Sequence, residues 1–405
     1  MSKLRISLLI PAGLALALSL GSARTAEAQF GSLKDRIKQK AAEKVGKKVV
    51  ESMDGKSDST TKSSQSGTAE ASTTSTASTA PTSRKEWANY DFVPGARTIF
   101  YTDFTEDQVG NFPKRLTFKT GQMEVVELDG GQRALKASSP SELVIPLPEA
   151  LPPKFTIELD VINRDSRGVG ANTFEITGGG GMRDDKYTQI GWGHHGLYVN
   201  GGGVQTMNVV PKDADIERYV GHAASFRILG DGPALKLYAD EKRIANIPNA
   251  GFQRGNSLVL DLQGRDDEKN AVYVTRIRVA ESNKDIYDEL SAKGRWSTQG
   301  ILFESGKSDL KPESTPTLKA IAAALKAHSD LKVEIQGHTD NVGSAASNLT
   351  LSQARAEAVK AALTNDFAVS ADQLTARGYG DTKPVTKNTT PEGRANNRRV
   401  EIVKL

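Results

Sequence analysis

The chain has 405 residues, 37% hydrophobic and 25% charged, with room for two folded domains and additional segments. It contains no Cys, which excludes disulfide scaffolds, thiolate metal sites and cysteine nucleophiles. No apolar run approaches the roughly 20 residues of a membrane-spanning helix, which excludes a polytopic helical membrane protein. The net charge of +4 resides near the start: seven Lys/Arg face Asp35, Glu43 and Glu51 across residues 31–52, and residues beyond 52 are slightly acidic. That balance excludes a nucleic-acid-binding surface as the main function.

Residues 1–28 read as an export signal. Lys3 and Arg5 precede an apolar stretch from Ile6 to Leu20, and Ala26-Glu27-Ala28 offers small residues for cleavage before Gln29. Residues 29–54 predict a basic amphipathic helix. Phe30, Leu33, Ile37, Ala41, Val45 and Val49 share one side, and lysines fill much of the rest. Such a helix over residues 30–50 can touch an anionic membrane surface or pack on protein. Residues 55–84 predict a disordered linker, because 9 Ser and 8 Thr within 57–83 cannot bury enough apolar surface to offset ordering entropy.

Residues 95–281 alternate with period two. Phe155, Ile157, Leu159 and Val161 share one face, and similar runs recur at 143–145, 189–192, 225–229, 234–238, 257–262 and 272–279. Gly-rich turns separate them, which predicts an antiparallel β-sandwich. The closing run from Leu235 to Ala280 loosely resembles concanavalin-type jelly rolls, so the expected fold is jelly-roll-like.

Two rival readings attach to this region. Glu158 and Asp160 point the same way from one strand, and paired carboxylates can hydrolyse a glycoside. Laminarinase-type jelly rolls carry Glu-x-Asp-x-x-Glu, however, and Asn163 stands at the third acid's place, so a solvated polar face is expected. The other rival is an eight-stranded outer-membrane barrel, but few runs reach the 9–11 residues it requires. His194-His195 offers no shared metal site, since adjacent strand residues face opposite ways. Trp192, Tyr187 and Tyr198 are expected to pack or support turns, the alternative being a sugar-stacking surface.

Residues 300–405 predict an α+β domain of order β-α-β-α-β-β. Ile301–Phe303 reads as a strand, Leu318, Ile321 and Leu325 mark a helix, and Leu331, Val333 and Ile335 a second strand. A loop from Gly337 to Asn348 leads into a helix through Leu351, Arg355, Val359 and Ala362, with Thr350-x-x-Gln353 as a capping box. Strands follow at 374–378 and 400–403. Asp340 ends a strand, and Arg355 is expected one turn into the helix, where fork, charge and dipole suit a carboxylate. The pair matches an amino-acid head group, or forms a structural salt bridge.

Gly337-His338-Thr339-Asp340, Asn348, Leu351-Ser352-x-x-Arg355-Ala356 and Asn397-Arg398-Arg399-Val400-Glu401 together resemble the OmpA-like peptidoglycan-binding domain. The resemblance implies that Asp340 and Arg355 hold the diaminopimelate of the peptidoglycan stem peptide, with Thr339, Asn348 and Leu351 lining the pocket. Glu304 follows Phe303 where the family usually has Asp, and the resemblance makes it a further peptidoglycan-binding candidate. His338 fits the family pattern and is read as loop packing. The expected protein is a non-enzymatic periplasmic anchor, associated with the cell wall and the outer membrane, with peptidoglycan as partner and no cofactor, metal or nucleic acid. A glycan-active enzyme and a wall-tethered barrel are the alternatives.

Overall fold

The computed structural model describes residues 90–163, 172–179, 188–193, 196–201, 204–209, 223–265, 270–282 and 285–405. The expected signal, amphipathic helix and linker lie outside them, as do Tyr187 and His194-His195. Among the described residues no helix is long and apolar enough to cross a membrane.

The first strands are β1 (Arg97–Thr102), β2 (Thr117–Thr120), β3 (Met123–Glu127), β4 (Arg133–Ala137) and β5 (Pro140–Pro146). There follow β6 (Lys154–Asn163), β7 (Asn172–Gly178), β8 (Gln189–Gly193), β9 (Gly196–Gly201) and β10 (Val204–Val209). The region closes with β11 (Ala223–Asp231), β12 (Ala234–Ala239), β13 (Lys242–Ile247), β14 (Ser257–Gln263) and β15 (Val272–Glu281).

They form two antiparallel sheets. One runs β13-β12-β11-β6-β15-β4-β3, with β1 also paired to β15, and the other runs β10-β9-β8-β7-β14-β5-β2. Both are open, so the barrel alternative falls. The alternation on β6 explains the layering: Phe155, Ile157, Leu159 and Val161 join Phe174 and Ile176 of β7 and Leu258, Leu260 and Leu262 of β14 in one core. Trp192 is part of that core, its ring 4.9 Å from Phe226, and presents no sugar-stacking surface.

The opposite face of β6 differs from expectation. Glu158 is buried and Asp160 half-buried, and neither stands on an open solvated face. Arg227 of β11 and Arg278 of β15 stand in register beside Glu158, and Arg276 stands beside Asp160. Cross-strand partners on one face meet side by side, so the arginines fold over the carboxylates and cover most of their surface.

The C-terminal domain comprises α1 (Ile286–Lys293), β16 (Arg295–Thr298), α2 (Thr315–Ala327), β17 (Val333–His338), α3 (Ala345–Asn365), β18 (Leu374–Gly380), α4 (Pro391–Asn397) and β19 (Val400–Lys404). Its sheet runs β16-β19-β17-β18, with β17 and β18 parallel. Leu318, Ile321 and Leu325 of α2 and Val359 and Leu363 of α3 pack over Val333, Ile335 and Ile402.

Several boundaries correct the expectation. The first strand is Arg295–Thr298, which pairs with β19. Ile301–Phe303 forms no strand: only Phe303 bridges, to Leu310, because the chain turns between them with Lys307 N–H donating to Glu304 O. Helix α3 begins at Ala345 with Ser344 as its cap, accepting from Ser347 N–H, while Thr350 bonds Ala346 O inside the helix, so no capping box forms there. Arg355 therefore sits about three turns in, away from the helix N-terminus. Helix α4 was not expected, since its Gly and Asn residues are poor helix formers; Pro391 at its start and the Thr390 cap secure it.

Candidate functional site

Two glycines set the site's frame. Gly337 of β17 and Gly378 of β18 are register partners, and a Cβ on either would strike the backbone of α3 at Ser352 or Gln353. Their absence of side chains lets α3 lie close on the sheet. Ser352 Oγ then accepts from Gly380 N–H at 2.8 Å, and Gln353 Oε1 from Gly378 N–H at 2.7 Å. Helix α3 is thus locked over the end of β17, from which the Thr339-Asp340 loop departs.

Asp340 is buried, and its partner is Arg398, not Arg355. Arg398 Nη1 lies 2.7 Å from Asp340 Oδ2, and Asp340 Oδ1 accepts from Val342 N–H at 3.1 Å. Asn348 is buried beneath and donates through Nδ2 to Asp340 O at 3.2 Å. The Thr339 N–H donates to Gly380 O, while its buried hydroxyl has no partner among the described residues. Leu351 is half-buried on α3. Arg355 Nε donates to Lys307 O at 3.0 Å, its guanidinium lies 4.9 Å from the Phe303 ring centroid, and it forms no ion pair among the described residues. Burial first, then the neighbouring Arg398, push the Arg355 guanidinium below its ordinary value, while Asp340 pulls the other way. Glu304 is exposed, 3.9 Å from Lys311; of the six expected site residues, Arg355 lines the cavity described next, and Asp340, Thr339, Asn348, Leu351 and Glu304 do not.

Arg355, Arg398, Phe303 and His338 line a cavity of about 240 Å³. His338 is 3% exposed, stacks on Tyr379 at 5.5 Å, and among the described residues neither ring nitrogen has a hydrogen-bond partner. Burial, with Arg399 and Lys383 nearby, holds its pKa down to about 3, so it is neutral. The cavity thus carries a guanidinium without a carboxylate and a neutral imidazole without a hydrogen bond. That is a receptor for an anionic, hydrogen-bonding group. Sequence reasoning missed Arg398 and Phe303 as site residues, although Arg398 stood in a quoted motif and Phe303 next to a candidate.

The OmpA family matches residues 302–398. Outer membrane porin F of Pseudomonas aeruginosa is 42% identical over 101 residues, 25% of this chain and 29% of the porin. Outer-membrane lipoprotein YfiB of the same organism is 38% identical over 150 residues, 36% of this chain and 88% of YfiB. The chain belongs to the OmpA family. Its OmpA domain is also similar to the solved peptidoglycan-associated lipoprotein from Burkholderia pseudomallei, at 32% identity over 28% of this chain and 92% of that one, with a TM-score of 0.25. The chain spans under a third of porin F's length. The sandwich precedes the residues matched to the OmpA family.

The sandwich carboxylates have a different character. Glu158 contacts Arg278, Arg227 at 3.6 Å and Arg276 at 3.8 Å, and Asp160 contacts Arg276 at 2.6 Å and Arg227 at 3.0 Å. Burial opposes ionisation of both, but the surrounding arginines prevail and hold their pKa values below the usual carboxylate range. Neither is poised to donate a proton near neutral pH.

Proposed function

We propose that the chain is a non-enzymatic cell-envelope protein that anchors to peptidoglycan through its OmpA domain, by non-covalent capture of the diaminopimelate residue in the stem peptide. Arg355 supports this reading most directly: it faces the cavity, and no carboxylate among the described residues claims its fork. The free end of diaminopimelate is an ammonium and a carboxylate on one carbon. Arg355 takes the carboxylate in two parallel hydrogen bonds, and Asp340, held in place by Arg398, takes the ammonium on its remaining lone pairs. Asn348 fixes the Asp340 main chain, and Thr339 and Leu351 shape the surroundings. Glu304, turned to Lys311, has no share in the grip.

The sandwich, jelly-roll-like in its sequence, serves as spacer or binding module. A periplasmic location next to the wall follows from the ligand, with the basic segment 30–50 available for membrane-surface contact. The test is co-sedimentation of the full chain with isolated peptidoglycan. Wild type pellets with the wall and Arg355→Ala stays in solution; equal pelleting of both contradicts the assignment.

A further inference from the structure

The cavity has a second set of walls, and they belong to the sandwich. Tyr101 of β1 and Arg276 of β15 line the same 240 Å³ as Arg355 and Phe303. Helix α4 fixes that arrangement. Asn396 accepts from Thr98 N–H at 2.8 Å and donates to Thr98 O at 3.1 Å, so its side-chain amide occupies the outer edge of β1 as a neighbouring strand would. Glu392 accepts from Tyr101 N–H at 2.8 Å and pairs with Arg115, which donates to Tyr101 O at 2.7 Å. Tyr101 is thereby held at both main-chain groups, and its ring centroid lies 5.6 Å from the Arg398 guanidinium.

The charges do not cancel. Arg276, Arg278, Arg355, Arg398 and Arg399 line the cavity, and the carboxylates paired with them are Asp160, Glu158, Asp340 and Glu401. Arg227 adds a further positive charge to the Glu158–Asp160 cluster. Arg276 directs Nε at Asp160 and Nη2 toward Glu158, and among the described residues its Nη1 has no hydrogen-bond partner, with a quarter of the side chain exposed. A second unused guanidinium donor therefore faces the space that holds the unpartnered His338.

We propose that the β-sandwich completes the ligand cleft: Tyr101 walls it and Arg276 receives a second carboxylate, the free C-terminus of the captured peptide. This rests on the peptidoglycan reading above and adds a selection to it. Stems that end in a free acid are bound in preference to stems whose C-terminus is tied up in an amide, as in a cross-link. The apolar face of the Tyr101 ring packs on the peptide's aliphatic part, and its position also steadies Arg398.

The experiment titrates the full chain with a diaminopimelate-containing stem tetrapeptide and with its C-terminal amide. Wild type is expected to bind the acid at least tenfold more tightly than the amide. Arg276→Gln should remove that preference while leaving amide affinity near wild type. Tyr101→Ala should weaken both probes about tenfold, and Tyr101→Phe should weaken neither. Equal wild-type affinity for acid and amide overturns the proposal, as does full affinity in Tyr101→Ala; both readouts stand whether or not Arg276→Gln folds. Arg355→Ala separates the two levels. If it binds both probes normally, the peptidoglycan reading fails; if it loses both while wild type shows no acid preference, only the role of the sandwich fails.

Discussion

Asp340 and Arg398 lie 2.7 Å apart, and this ion pair decides what Arg355 is for. A structural Asp340–Arg355 bridge would have closed the site on itself. With Arg398 taking that place, Asp340 is positioned and the Arg355 guanidinium has no carboxylate partner among the described residues, which is what the proposed capture of a ligand carboxylate requires. Arg355→Ala should therefore leave the melting temperature within a few degrees of wild type, because no ion pair is lost. Muropeptide affinity should fall at least about thirtyfold, since a ligand carboxylate left unpaired costs roughly 2–5 kcal/mol. Arg355→Lys should recover little, as a point charge cannot replace a planar fork. Calorimetry and titration on one sample check both halves.

Asn396 binds the sandwich to the OmpA domain through both main-chain groups of Thr98. Asn396→Ala strands these half-buried groups at about 1–3 kcal/mol. Amide exchange at Thr98 should accelerate, and the two domains should unfold in separate denaturant transitions. A single unchanged transition would show that the contact carries no coupling.

His338 predicts a pH dependence. Its folded pKa of about 3 lies below the usual imidazole value, so between these limits the unfolded state binds the proton and the folded state does not. Stability contributed by the neutral ring is complete above about pH 6.5 and declines as pH falls toward 3, by up to about 1.4 kcal/mol per unit. His338→Phe should flatten the stability profile from pH 7 to 5 relative to wild type in urea titrations. Parallel profiles would contradict the burial argument.

The buried cluster under β6 makes a stability prediction in place of a catalytic one. Glu158→Gln leaves Arg278 and Arg227 without full compensation at buried positions, and breaking such a network costs about 3–5 kcal/mol. Urea midpoints measure it. Wild type should release no sugar from glucan or peptidoglycan, because both acids are held ionised.

How much of this was legible in the sequence varies with the kind of signal. The period-two runs from Leu143 to Val279 all became strands, because alternation reports one buried face directly. Strands such as β3, β4 and β13, with shorter or more polar patterns, were not distinguished from loops. The fate of Glu158 and Asp160 was hidden because their cover came from arginines 67, 116 and 120 positions away, and local patterning cannot report cross-strand pairing. Of the residues the OmpA motifs singled out, Arg355 lines the cavity and Asp340 is tied to it through Arg398, which was passed over: its partner is 58 residues distant. Tyr101 was invisible for the same reason, since only docking of α4 on β1 brings it to the cavity.

The most direct test of the central claim compares stem peptides that differ only at the third residue, titrated into the full wild-type chain. Diaminopimelate adds one carboxylate to what lysine offers, and Arg355 is the group assigned to it. The account predicts clear saturable binding of the diaminopimelate peptide and at least thirtyfold weaker binding of the lysine peptide. Equal affinity for the two would contradict it.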